Sequence, residues 1–573
     1  MTHHYTITPS QSGHFFNITL KLSLEAGEHE CWLPVWIPGS YCRRDYSKHI
    51  TELSAKQGQS ALTIRYVTAS RWAISVPKAG EITVSYRVYG RDVSVRGNYL
   101  DHERAMVNPC PTCIVFDEHQ PVIIRFDLQG KHQGWGISGA VAEADGSYHF
   151  ENHDEAADTP FMLGKALCHH SFVLGGIVHD FYFTGVNEDD DLERLMKDTE
   201  IMCQSALEMF GAFPKAVKRY QFMLHLTGST RGGLEHRQST LLMERNSSVP
   251  KIGQSALPER YLDLAGLIIH EYFHTWNVKD LKAKTHQPYR MEAEQYDDLL
   301  WFFEGYTAYF DNYLMLKSGV ISPQAYIDMI ASDHSRHLPH TGRFRQTLAQ
   351  SSIEAWTKYY NPNEIGAQLS TSYYVQGSLA ALCTDIWLFK HGLRLEDVVA
   401  HIWKQYDKTQ QGLTEARYFE WAREVLPQEL WEGFEALVGG FIHSTQPLPM
   451  QSALAEVGCV VEYQAKYAVD FGFDTKNGMV ALIDEHSSAA HAGLANGDKL
   501  VNINGEAWES RNWQGDASAE YQVGQAIALE VTRDGKPFTF HFTTQAPRED
   551  KVLYRFEGEI SPFFKPQERL CKR

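Results

Sequence analysis

The chain has 573 residues, 43% of them hydrophobic and 12% aromatic, enough apolar material for three or four domains with sizeable cores. A formal net charge of −18 argues against a nucleic-acid or anionic-membrane partner, either of which would favour basic surfaces. No run approaches the ~20 apolar residues of a membrane span, and nine scattered cysteines, an odd number, suit a reducing compartment.

The start, Met1-Thr2-His3-His4, lacks the basic and apolar regions of a secretory signal, which predicts a cytoplasmic protein. Residues 1–175 read as strands. Phe16, Ile18, Leu20, Leu22 and Leu24 alternate with polar residues, as do Ile82, Val84, Tyr86 and Val88, and 122–126 is a third short run. A β-sandwich is the expected fold. The Trp36-Ile37-Pro38-Gly39-Ser40-Tyr41 segment reads either as a turn lining a substrate cleft or as a rigid aromatic turn holding two strands, the second being favoured, and no catalytic constellation stands out in this region. Cys110-Pro111-Thr112-Cys113 has no second C-x-x-C beside it and reads as incidental thiols near a turn.

Residues 176–450 form a second expected domain, with strands to about 257, including 220–226, and helices from about Pro258. Gly319 and Gly392 are the expected helix stops. Here lies His270-Glu271-Tyr272-Phe273-His274, an H-E-x-x-H motif behind the apolar lead-in Leu267-Ile268-Ile269. On a helix His270 and His274 are one turn apart and point the same way, so two imidazoles can grip one zinc ion. Glu271 beside them can handle the proton of an attacking water. Zinc needs a third protein ligand, and a second helix over 297–310 carries one carboxylate in its middle, Glu304, among Trp301, Phe302, Phe303 and Tyr306. Buried unpaired, that charge would be costly; a metal ion or an Arg or Lys partner would compensate it, and the upstream motif favours the metal.

In residues 455–545, Ala492-Gly493-Leu494 through Asn504-Gly505 resembles the A-G-L-x-x-G-D-x-L-x-x-I-N-G signature of PDZ domains. Residues 546–573 read as a tail. The chain shows no internal repeat or low-complexity tract.

H-E-x-x-H followed by a helical D-D-L-x-x-x-x-E-G resembles the gluzincin metallopeptidases. Upstream, Gly232-Gly233-Leu234-Glu235-His236 resembles the G-x-M-E-N strand of zinc aminopeptidases, in the variant found in the glycyl aminopeptidase family. Downstream, Tyr374-Val375-Gln376-Gly377-Ser378 resembles their Y-x-K-G-A segment. The order of the motifs, the Trp36–Tyr41 segment and the PDZ-like stretch extend the resemblance over nearly the whole chain. It implies a multidomain α+β architecture: an N-terminal β-sandwich, a thermolysin-like catalytic domain and a PDZ-like domain. It also implies one zinc per chain held by His270, His274 and Glu304, with Glu271 as proton carrier. Tyr374 becomes the oxyanion donor, with Tyr373 as the fallback. Glu235 can pair with a free α-ammonium, and Gly232 and Gly233 allow a peptide substrate to approach as an added strand. A preference for N-terminal Gly or Ala is implied by the resemblance alone. His236 and Leu234 depart from the better-known aminopeptidase pattern.

Two other readings compete with the zinc aminopeptidase. One is a zinc endopeptidase whose PDZ domain selects a peptide or C-terminus. The other is a PDZ adaptor or chaperone on a dead protease scaffold, which loss of a ligand or of Glu271 would favour. None of these residues is lost.

Overall fold

The computed structural model describes residues 2–566. The chain folds as two compact units. One combines residues up to Ile321 with Arg394–Gly433, and the other combines Ser322–Leu393 with residues 434–566.

The first unit opens with an N-terminal β domain. The predicted alternation becomes the Phe15–Leu24 strand, whose Phe16, Ile18, Leu20, Leu22 and Leu24 are 0–4% exposed. It is the middle strand of a seven-stranded sheet, antiparallel to His3–Pro9 and Gly80–Tyr89, with Ile18 opposite Ile7 and Tyr86. A period of two places these side chains on one face. Burying each stabilises the fold by about 1.5–3 kcal/mol. A three-stranded and a four-stranded sheet contribute to the same core. Cys110 and Cys113 are fully buried in it, and burial pushes both thiols well above their ordinary values. All eight cysteines among the described residues are free.

This core runs on into a five-stranded sheet through Leu234, Leu241 and Met243. Its strand order is Cys168–Leu174, Ile177–Thr184, Arg219–Thr227, Ser239–Arg245, Gly232–Glu235, so the last strand forms one edge. Helix Leu192–Phe210 is the crossover between the parallel strands Ile177–Thr184 and Arg219–Thr227. Helix Tyr261–Phe273 begins three residues after Pro258, whose carbonyl accepts from the Tyr261 amide at 2.9 Å. Nine of its thirteen residues are buried, which is why its sequence is apolar on every side. The 297–310 stretch, predicted as a single helix, starts instead with a wide π turn over Trp301–Tyr306. It becomes α-helical over Thr307–Ser318 and stops at Gly319, whose φ is +79°.

The second unit holds helices Pro323–His337 and Tyr373–Lys390, the first capped by Ser322 and the second by Ser372. A ribbon of Cys459–Ala465 and Glu549–Phe556 packs on the Pro323–His337 helix, where the Tyr554 hydroxyl meets His334 Nδ1 at 2.7 Å. Between the two ribbon strands is inserted a separate sheet in the order Phe473–Lys476, Met479–Ile483, Lys499–Ile503, Ala526–Arg533, Lys536–Thr543, with its own core around Phe473, Leu500, Ile503 and Leu529. Among the described residues no helix is long and apolar enough to cross a membrane.

Candidate metal and substrate site

His270 lies in the last turn of the Tyr261–Phe273 helix and His274 caps its C-terminus, so the four-residue spacing brings their rings together edge-to-face, with centroids 4.8 Å apart and planes at 85°. Their Nε2 atoms face each other at 3.2 Å. Glu304, 2% exposed, enters from the π turn, with Oε2 at 3.3 Å from His274 Nε2 and 3.7 Å from His270 Nε2. Wide π turns of this kind often mark functional positions in helices. Here the turn is braced by Asn277, whose amide nitrogen reaches the Phe302 and Phe303 carbonyls, each at 3.3 Å, and the Thr307 hydroxyl at 3.1 Å.

The outward nitrogens are committed elsewhere. His270 Nδ1 pairs with the Asp311 carboxylate at 2.9 Å, and His274 Nδ1 with the Asn277 carbonyl at 2.8 Å. These bonds fix each ring and turn its Nε2 inward, towards Glu304. Two inward Nε2 atoms and one carboxylate, all within 4.8 Å, make a donor set that fits a metal ion taking nitrogen and oxygen ligands. The electrostatics agree. Burial acts to lower the pKa of both imidazoles, yet Asp311 and Glu304 draw His270 well above its ordinary value and Glu304 raises His274. Glu304 is held down to about 2 by the same imidazoles, against the opposing effect of burial.

Glu271 lies beside His274 at this centre. It is 6% exposed, its Oε2 has no hydrogen-bond partner, and burial raises its pKa, with the Glu235 charge acting in the same direction. Gly233 runs so close to it that a Cβ there would collide with the Glu271 carboxylate, so only glycine fits. Glu235, Glu271 and His274 form a second cluster, with ligand atoms within 4.8 Å of one another. Glu235 is 4% exposed, and among the described residues its carboxylate has no hydrogen bond or ion pair. It ends the edge strand Gly232–Glu235, whose outer side has no strand paired to it among the described residues.

The first unit therefore brings together His270, His274, Glu304, Glu271, Glu235, Gly232 and Gly233. Tyr374 belongs to the second unit, in the first turn of the Tyr373–Lys390 helix, where it is half-buried and its neighbour Tyr373 is fully buried. Asp311 and Asn277 were missed in the sequence reading. Asp311 carried a usable signal, since it lies two helical turns beyond Glu304 and so on the same face. His236 is buried 3.3 Å from Asp158, which also pairs with Lys279 at 2.7 Å, so it serves the local ion network.

Residues 263–380 match the family profile described as M61 glycyl aminopeptidase, and residues 4–165 match that of the peptidase M61 N-terminal domain. Among solved structures, an aminopeptidase N family protein from Idiomarina loihiensis is 29% identical, with a TM-score of 0.88 over 97% of this chain and 98% of that one. Legionella pneumophila aminopeptidase A in complex with aspartic acid is 11% identical, with a TM-score of 0.50 over 78% of this chain and 49% of that one. An M1 zinc metallopeptidase from Deinococcus radiodurans is 13% identical, with a TM-score of 0.47 over 78% of this chain and 94% of that one. The comparison with curated proteins gives no match.

Proposed function

This chain is a metallopeptidase of the M61 family, and from that premise we propose that it is a zinc-dependent aminopeptidase removing small N-terminal residues, Gly or Ala, from peptides. The observation that carries the reading is Glu235: a nearly inaccessible carboxylate without a hydrogen-bond or ion-pair partner among the described residues, at the end of an edge strand and beside Glu271 and His274. An unpaired buried charge is expensive, so its partner has to come with the substrate, and the free α-ammonium of a peptide is a cation of the right size.

His270, His274 and Glu304 would hold one zinc ion. When bound, zinc polarises the scissile carbonyl and lowers the pKa of a water molecule. The chain's own residues do the rest. The substrate main chain pairs with the open edge at Gly232 and Gly233, which leaves its N-terminus at Glu235. Glu271, its pKa raised by burial, accepts the proton of the attacking water and passes it to the leaving amine. Tyr374 donates its phenolic proton to the oxyanion; it is half-exposed at a helix start, whereas Tyr373 is buried. The inserted sheet over 473–543 is PDZ-like and modulatory, contributing no group to the chemistry.

The test compares peptides or amides of Gly and Ala with their N-acetylated versions. Free amines should be cleaved and acetylated ones left intact. Glu235→Ala should lower kcat/KM on free-amine substrates by at least about tenfold while leaving zinc content unchanged, since losing one partner of a buried charge pair costs roughly 2–5 kcal/mol. Comparable cleavage of both substrate types would replace this reading with an endopeptidase.

A further inference from the structure

The Trp36–Tyr41 segment does more than hold two strands. Pro38 and Gly39 are the central residues of a tight turn in which the Ser40 amide donates to the Ile37 carbonyl at 3.0 Å, and Gly39 has φ +88°. Proline followed by a glycine at positive φ is the pattern of a type II turn. The turn is seated on the segment that follows the zinc-binding helix. The Trp36 indole donates to the carbonyls of Arg290 at 3.1 Å and Ala293 at 2.8 Å, and the Val35 amide donates to the Met291 carbonyl at 2.8 Å.

Held this way, the backbone of Gly39 lies directly against Glu235. A Cβ at position 39 would stand 2.5 Å from each Glu235 carboxylate oxygen and 2.7 Å from Leu234 Cδ1. A glutamate side chain has three rotatable bonds and needs something to hold it. Glu235 has no hydrogen bond to do so among the described residues, and contact with this bare backbone takes that place. Contact without a donor fixes the carboxylate and leaves its lone pairs for a cation.

We infer that Gly39, supplied by the N-terminal β domain, is a positioning residue for the substrate's α-ammonium: its close approach sets the Glu235 carboxylate, so the amine subsite is built jointly by the Pro38-Gly39 turn and the Gly232–Glu235 strand. This rests on the reading of Glu235 as the amine-binding group.

The experiment compares two metal-directed ligands of the zinc-loaded enzyme, alanine hydroxamate and propionohydroxamate, which differ only in the amine. The wild type binds the first more tightly. Gly39→Ala should reduce that advantage at least about tenfold, leaving the propionohydroxamate affinity and zinc content unchanged, because only the ammonium pair is lost. Glu235→Asp in the Gly39→Ala background shortens the side chain by one methylene and should restore part of the advantage. Should Gly39→Ala fail to fold, Trp36→Phe, which removes both indole hydrogen bonds, should show the same selective loss to a smaller degree. If Glu235→Ala abolishes the advantage while Gly39→Ala and Trp36→Phe leave it intact, the role of Gly39 is overturned and Glu235 stands. If Glu235→Ala itself leaves the advantage intact, the amine-binding reading falls and this inference with it.

Discussion

His270 and His274 each offer one nitrogen to the centre and spend the other on a fixed acceptor, so ring orientation depends on Asp311 and on the Asn277 carbonyl. Asp311→Ala frees the His270 ring to rotate and removes its acceptor. Metal affinity, measured by competition with a chelator, should fall about 10–100-fold, the usual cost of losing such a partner. Glu271→Gln is the complementary case. The amide keeps the shape beside Gly233 but cannot accept a proton, so elemental analysis should find wild-type zinc while turnover is nearly abolished. Residual activity close to wild type would remove Glu271 from its role. At this scale the sequence is readable where one residue's chemistry is unusual for its surroundings: a carboxylate among Trp301, Phe302, Phe303 and Tyr306 announces Glu304. Asp311, flanked by Phe310 and Asn312 on an ordinary helical stretch, carries no such contrast.

Among the elements, the alternating Phe15–Leu24 strand and the apolar Tyr261–Phe273 helix follow from periodicity, because burial selects one face of a strand and every side of an enclosed helix. The π turn at Trp301–Tyr306 does not. Its hydrogen bonds span five residues rather than four, and the brace that accompanies it comes from Asn277, on another segment. The topology of the second unit changes how the C-terminal region should be dissected. A chain ending near Pro449 would lose the Glu549–Phe556 ribbon strand as well as the inserted sheet, stripping cover from the Pro323–His337 helix, including the His334–Tyr554 hydrogen bond and the Ser335–Val552 pairing. That variant should unfold at a lower temperature. Replacing residues 467–547 with a short turn joins Ala465 to Glu549, which are already paired, and should keep the melting temperature, the zinc and activity on dipeptide-sized substrates. A soluble, zinc-loaded deletion without activity would show that the sheet completes the site.

For the molecule as a whole, seven buried histidines are held neutral by burial. His3, His153, His179, His286 and His334 are lowered to about 4, and His225 and His337 to about 3. Unfolding returns each to about 6.5. The unfolded chain therefore binds more protons than the folded one, and stability falls as pH drops from about 6.5 towards 4. Unfolding of the metal-free protein, followed by urea midpoint across this range, isolates the effect from loss of zinc. His3→Phe should flatten the slope by up to ~1.4 kcal/mol per pH unit, the contribution of one proton, because both ring nitrogens of His3 are buried without a hydrogen-bond partner. An unchanged slope would mean that His3 titrates alike in both states.

The candidate site of this protein is written in short-range patterns. The spacing of His270 and His274 needs only helix geometry, and the identity of Glu271 needs only its neighbours. The burial of Phe16, Ile18, Leu20, Leu22 and Leu24 likewise follows from a repeat of two. Tertiary structure alone decided which distant backbone meets which side chain. Gly39 and Glu235 are far apart in the chain, and each has a satisfactory local account as a turn glycine or a strand end. Their contact arises because the apolar core continues from the N-terminal sheets through Leu234, and because Trp36 is bonded to the segment beyond the Tyr261–Phe273 helix. Periodicity records burial along one element. It holds no information on how separate elements register against one another, which is set by close packing between them.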